Sequence, residues 1–187
     1  AFTVKDEETN PHGITFNNDG TKMFICGQSS DRIFEYALTT GFDVSTASYT
    51  SNSYNVQPNL YKPMAVQFNA DGTKMFVLDE TGDDVNEYTL SVGFDITSTV
   101  TFVDAFSVAT QEVKPTGLAF NTDGTKMFIC GWKGNDVNEY ALTTGFDVST
   151  ASYVQRFAAS AQDLDMRDVQ FSTDGTVMFL LGRGGTH

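Results

Sequence analysis

The residues with reactive side chains are few, and their spacing restricts what they can do. Two cysteines, two histidines and one tryptophan stand among 24 Asp and Glu and 11 Lys and Arg. A nucleophilic cysteine or serine needs a base within hydrogen-bond reach. The two histidines, His12 and His187, lie at opposite ends of the sequence, and there is no H-x-x-H or C-x-x-C pair to mark a metal site. These residues assemble no Ser-His-Asp or Cys-His set, so a chain without catalytic residues is expected; a mechanism that uses carboxylates alone stays open. Asp79, Glu80, Asp83 and Asp84 crowd one short segment. Asp79, Asp83 and Asp84 are the candidates for a Ca²⁺ ion, which takes roughly 6–8 oxygen ligands, although the D-x-D-x-D-G spacing is absent. No other cofactor is expected. Trp132, next to Lys133, offers a ring face that could stack on a sugar or anchor a protein partner.

The formal net charge of −13 bears on partners. Nucleic acid and anionic membrane surfaces require clustered Lys and Arg, which scattered basic residues in an acidic chain do not supply. The acidity reads as solubility, or as attraction for a cationic partner. No segment approaches the roughly 18 apolar residues of a membrane-spanning helix, and no signal-peptide pattern is visible. The sequence opens on Ala1 rather than Met, which reads as processing or excision.

The elements that position these side chains come from an internal repeat. Asp19-Gly20, Asp71-Gly72, Asp123-Gly124 and Asp174-Gly175 follow one another at spacings of 52, 52 and 51 residues. Around them stand ITFNNDGTKMFICG, VQFNADGTKMFVLD, LAFNTDGTKMFICG and VQFSTDGTVMFLLG. Glu35-Tyr36, Glu87-Tyr88 and Glu139-Tyr140 come next, then Gly-Phe-Asp at 41–43, 93–95 and 145–147; EYALTTGFDVSTASY occurs at both 35–49 and 139–153. Each repeat reads as four strands. For the first repeat these are Ile14–Asn17, Met23–Cys26, Ile33–Leu38 and a segment near Ser48–Ser53, with a tight Asp-Gly hairpin after the first. The second strand is apolar on both faces, as a strand in a sheet sandwiched between two others must be. The fold class is therefore all-β, a β-propeller of four-stranded antiparallel blades. One domain is expected over 1–187, with about 3.6 repeats at 1–53, 54–105, 106–157 and 158–187, the last incomplete.

The pattern F-[NS]-x-D-G-T-x-M-F-[ILV], followed by D-x-V-x-E-Y-x-L, resembles YVTN-type and Tol-associated periplasmic propeller repeats over nearly the whole chain. It differs from the sialidase Asp-box, in which Asp and Gly are not adjacent. The resemblance implies an architecture and is silent on activity.

Ala1–Val4 (AFTV) matches Ala105–Val108 (AFSV), the end of a fourth strand, so fifteen strands are expected, one short of four full blades. The chain then reads as a fragment of a larger propeller, as an imperfectly closed ring, or as a ring completed by another chain. Cys26 and Cys130 occupy the same repeat position and read as small buried hydrophobes, too far apart to form a disulfide. Glu35, Glu87 and Glu139 recur with the blade and read as structural. Asp31, Asp83 and Asn135 are also equivalents, which suggests an Asx-turn.

The turns that stay constant serve the blade, while the loops that differ lie on the opposite face, where binding residues are expected. His12, Met64, Thr116 and Arg167 are equivalents that should ring one mouth of the channel. The candidate ligand-binding residues are Trp132, Lys133, His12, Arg167, Tyr61 and Arg32. The expected function is non-catalytic recognition of a protein or carbohydrate partner, or assembly, on an extracellular or virion surface. The alternatives are a Ca²⁺-dependent lactonase or esterase, and a purely structural spacer.

Overall fold

A computed structural model describes residues 2–161 and 163–184. Within them lie fourteen strands. β1 (Pro11–Phe16), β2 (Lys22–Gly27), β3 (Arg32–Leu38) and β4 (Ala47–Asn55) form the first blade. β5 (Pro63–Phe68), β6 (Lys74–Asp79), β7 (Asp84–Leu90) and β8 (Val100–Ser107) form the second. β9 (Pro115–Phe120), β10 (Lys126–Gly131), β11 (Asp136–Leu142) and β12 (Ala151–Ala158) form the third. β13 (Met166–Phe171) and β14 (Met178–Gly182) form a two-stranded fourth sheet. All pairings are antiparallel between sequence neighbours. β1 packs on β5, β5 on β9 and β9 on β13, so the first strands line the inside of the array.

The invariant turn has a local cause. Asp19 Oδ1 accepts hydrogen bonds from Thr21 N (3.0 Å) and Thr21 Oγ1 (2.6 Å), and Asn17 Oδ1 accepts one from Lys22 N (2.9 Å). Gly20 sits at φ +71°, and a Cβ there would strike the ring of Phe42 from the Gly-Phe-Asp connection. Asp-Gly and Gly-Phe-Asp recur together because each packs on the other.

Blades are joined by aromatic pairs at fixed positions. Phe24 stacks on Phe68 of the next blade at 4.7 Å, Phe76 on Phe120 at 4.7 Å and Phe128 on Phe171 at 4.4 Å. Tyr88 and Tyr140 meet Tyr54 and Phe106 of the preceding blade edge-on. These rings explain why the second strand is apolar on both faces, each of which meets another sheet, and why each third strand carries a buried tyrosine.

The recurring glutamates are structural, as their periodicity implied. Glu35, Glu87 and Glu139 pair with Lys22, Lys74 and Lys126 at 3.2, 2.7 and 2.7 Å. Lys22 and Lys74 also donate to the carbonyls of Phe94 and Phe146, one blade further on.

Two expectations need correction. Ala1 lies outside the described residues, and Phe2–Val4 is not a strand. In the second blade the equivalent segment pairs with β7; no third strand stands beside Phe2–Val4 among the described residues. Phe2 still meets Tyr36 edge-on at 5.5 Å, the contact its repeat position dictates. Asp31, Asp83 and Asn135 recur because their backbones are left-handed, at φ 53°, 51° and 53°, a conformation that Asn and Asp tolerate best among side-chain-bearing residues.

Candidate ligand-binding rim

The loops that differ converge on one rim. The residue just after the second strand is Gln28, Glu80, Trp132 or Arg183 in the four repeats, so one backbone position presents an amide, a carboxylate, an indole and a guanidinium. Two of these side chains are linked across blades, and Lys114 joins them. Gln28 Nε2 donates to Glu80 Oε2 at 2.9 Å and to Met64 Sδ at 3.0 Å, and Lys114 Nζ donates to Glu80 Oε1 at 2.7 Å. Burial pushes the Glu80 carboxyl up, but Lys114, Lys62 and Gln28 outweigh it and hold it below the usual glutamate range. Trp132 N donates to Lys114 O at 3.3 Å, which ties its loop to Lys114, and the tryptophan is 40% exposed. Asn135, its amide turned to donate, reaches the carbonyls of Trp132 and Leu164 and fixes the indole's loop against the next blade.

His12, Met64, Thr116 and Arg167 do share one cleft at the inner strands, together with Asp168. Its volume is about 20 Å³, room for little more than one water molecule. Three of the four are engaged by the scaffold: Met64 accepts from Gln28, Thr116 Oγ1 donates to Met166 O at 2.9 Å, and Arg167 pairs with Asp165 at 2.6 Å. His12 is exposed as a residue, yet partial desolvation of its ring and then the Arg167 charge hold its pKa below the ordinary histidine value. Burial pushes the Asp168 carboxyl up.

Lys133 and Tyr61 are exposed on the same loops. Arg32 begins β3 opposite Gly27, and its Nη1 donates to Ser53 Oγ at 2.9 Å across the next strand pair, which braces the first blade. His187 lies outside the described residues. Cys26 and Cys130 are buried free thiols whose pKa burial pushes up to about 12, which suits packing rather than nucleophilic attack.

The Ca²⁺ candidates are also reassigned. Asp79 Oδ1 accepts from Lys62 N (2.9 Å) and Thr81 N (3.1 Å), and Oδ2 accepts from Gly82 N (2.9 Å). Asp79 therefore closes the β6–β7 loop. Asp84 accepts from Asn86 Nδ2 at 2.6 Å, and burial, with Asp79 and Asp83 adding, pushes it up to about 6. Asp83 holds the left-handed turn. Among the described residues no group of three or more His, Cys, Asp or Glu is arranged to hold a metal ion.

The other blades close the same loop from the opposite side. Glu8 accepts from Asn10 N, Ser29 N and Ser30 Oγ; Glu112 accepts from Lys114 N and Gly134 N; Asp163 accepts from Asp165 N and Gly184 N. In those blades the position of Asp79 is Gly27, Gly131 or Gly182, where a Cβ would collide with the carboxylate side chain. In the second blade the position of Glu8 is Leu60, fully buried. One carboxylate per blade is required, and it arrives from either strand or loop. The sequence signal was the reciprocal pair Leu60/Asp79 against Glu8/Gly27.

No family model and no curated protein matches the chain. Solved structures do. A candidate 6-phosphogluconolactonase from Bacteroides uniformis aligns at 14% identity and TM-score 0.62, covering 91% of this chain and 46% of that one. The Cps50 (Swd1) β-propeller domain of Myceliophteria thermophila aligns at 9% identity and TM-score 0.59, covering 92% and 50%. A chain of the nidogen/laminin complex aligns at 12% identity and TM-score 0.62, covering 93% and 57%. The chain thus spans about half the length of the structures it matches. At these identities the likeness shows the fold alone: the chain is an array of β-propeller blades.

Proposed function

We propose that the chain is a recognition module that binds a carbohydrate on the rim formed by Gln28, Glu80, Lys114 and Trp132. The observation that carries this is a partly exposed tryptophan whose backbone N–H bonds the carbonyl of Lys114, the residue that supplies the ammonium of a fixed amide–carboxylate–ammonium network. A sugar ring presents an apolar C–H face to an indole, and its hydroxyls both donate and accept, which matches planar amide and carboxylate groups. The network joins three blades, so the polar groups are held in place before the ligand arrives. Asp79, Glu80, Glu112 and Asp165 are engaged by cations or backbone N–H groups, which favours binding over hydrolysis. Display on an extracellular or virion surface suits this role, and the likeness of the repeats to YVTN-type and Tol-associated periplasmic repeats supports a location outside the cytoplasm.

Because Trp132 is the sole tryptophan, its emission reports the rim directly. Glycan-array binding followed by fluorescence titration should find a saccharide that shifts the emission. Trp132→Ala should weaken that ligand by tenfold or more, on the order of 1.4 kcal/mol, with unchanged thermal stability. Absence of any saccharide response, or retention of full affinity by the variant, would end this reading.

A second reading has one support. Neighbours of this fold include candidate 6-phosphogluconolactonases and a periplasmic gluconolactonase of Pseudomonas aeruginosa. Lactone hydrolysis with and without added Ca²⁺ tests it, and turnover lost in Arg167→Ala would favour it.

A further inference from the structure

The two variable loops of each blade are joined by the same backbone bond. Gln28 N donates to Asn10 O, Glu80 N to Lys62 O, Trp132 N to Lys114 O and Arg183 N to Asp165 O, at 3.1, 3.1, 3.3 and 2.9 Å. The residue just before each of these acceptors is Thr9, Tyr61, Val113 or Leu164. Three of the four are therefore apolar or aromatic at one repeat position, and they face water: Tyr61 is 52% exposed, Val113 44% and Leu164 64%. Tyr61 and Val113 stand on the second and third blades, which have a packed sheet on each side, so their exposure belongs to the face and not to an end of the array. We propose that the rim holds a saccharide chain along its length, with one sugar ring on Tyr61 of the second blade, another on Trp132 of the third, and the Glu80–Lys114 pair between them. This rests on the carbohydrate reading above and extends it from a single sugar to an oligosaccharide.

The order of contacts along the rim supports the arrangement. Tyr61 precedes Lys62, whose carbonyl takes Glu80 N; Glu80 Oε1 takes Lys114 Nζ at 2.7 Å; Lys114 O takes Trp132 N. Two exposed aromatic residues are thereby held one blade apart, on either side of a polar clamp. Val113, next to Lys114, adds apolar surface on the same loop. A pyranose has an apolar C–H face and a hydroxylated edge, so a chain of such rings meets aromatic and polar groups in turn. A single ring covers one aromatic and leaves the other in water. The clamp is fixed before binding: Asn10 Nδ2 donates to Gln28 Oε1 at 3.1 Å, and Gln28 Nε2 to Glu80 Oε2 at 2.9 Å. Once one ring is bound, the next binds as an intramolecular event, and affinity grows with chain length. An extended peptide fits this rim less well. Peptides that add to a fold gain affinity from main-chain hydrogen bonds to a free backbone edge, and here the loop N–H and carbonyl groups that face each other already bond within each blade.

The test uses the full chain and disaccharide-to-hexasaccharide ladders of cello-, chito-, malto- and galacturono-oligosaccharides, titrated by calorimetry. In at least one ladder affinity should rise by about tenfold or more from the shortest member to the longest. Tyr61→Ala should remove that gain and leave the disaccharide affinity unchanged, while Tyr61→Phe should keep the gain. Trp132→Ala should weaken every member. Tyr61 is exposed, so its replacement should leave the melting temperature unaltered, and the disaccharide serves as an internal control for an intact clamp. Equal affinity for short and long members would overturn the chain and leave the single-sugar reading standing. A gain with length that survives Tyr61→Ala would put the second contact elsewhere and overturn the proposal as well. No binding of any ladder up to about 10 mM would overturn both readings. Selection from a displayed random library of a peptide that needs Tyr61, with every ladder silent, would make the rim a protein interface instead.

Discussion

β6 and β14 occupy the same place in the repeat and share the run Met-Phe-apolar-Leu, yet Phe76 is fully buried and Phe179 is 58% exposed. Phe76 lies against Phe120 and Phe146 of the third blade. Phe179 has no aromatic partner among the described residues. A hairpin of this repeat forms from its own turn chemistry, but its apolar faces become a core only when a neighbouring blade lies on each side. This is the behaviour of a quasi-one-dimensional array, in which stability resides in the interfaces.

The comparison can be broken most severely at those two rings. Phe76→Ala should cost about 3–5 kcal/mol, the usual loss for a buried aromatic, whereas Phe179→Ala should cost less than about 1 kcal/mol. Urea unfolding of both variants measures the difference, and equal losses would show that the fourth sheet is as well packed as the second.

A sharper contrast sets the first blade against the second at the loop carboxylate. Gly27→Asp alone forces two carboxylate side chains into one place, beside Glu8. Adding Glu8→Leu recreates the arrangement of Leu60 and Asp79. The double variant should recover about 1–3 kcal/mol relative to the single, the coupling expected of side chains in direct contact. A double variant no more stable than Gly27→Asp would show that the exchange is not local.

The smallest effect separates the second blade from the third by pH. Asp136 has Arg156 at 3.0 Å, while its equivalent Asp84 has no salt-bridge partner among the described residues and is pushed up to about 6 by burial. Between the ordinary aspartate value of 3.8 and about 6, folded Asp84 keeps a proton that the unfolded chain has lost. Stability from this group is therefore full below about pH 4 and falls as pH rises to about 6. Asp84→Asn should flatten that fall and raise stability at pH 7 by on the order of 1 kcal/mol. Asp136→Asn should lower it by about 0.5 kcal/mol, since Arg156 is largely exposed. Thermal melts from pH 4 to pH 8 distinguish the two.

Much of the fold was legible in the residues. The Asp-Gly turns, the doubly apolar second strands and the Glu-Tyr positions each depend on contacts inside one repeat or on a contact repeated in every blade. The strand ends were read one to three residues short at Pro11, Lys22 and Asn55, because ladder pairing extends past the apolar run into polar residues. The site was legible only in part. Trp132 and Lys133 stood out as exceptional residue types in a variable loop. Gln28 and Lys114 did not, because an isolated Gln or Lys in a loop carries no signal until the fold brings each within reach of Glu80. Asp79 misled for the complementary reason: its neighbours in sequence are acids, while its hydrogen-bond partners are backbone N–H groups, one of them seventeen residues away.

The order of residues by itself determined the strand period, the turn geometry and the apolar character of both sheet faces, since steric limits on φ and ψ and side-chain alternation act over a few residues. Only the tertiary structure decided which polar groups remain available to a ligand. Availability depends on what the adjacent blade and the opposite side of the same loop have already satisfied, and a buried carboxylate takes the nearest N–H wherever in the chain it comes from.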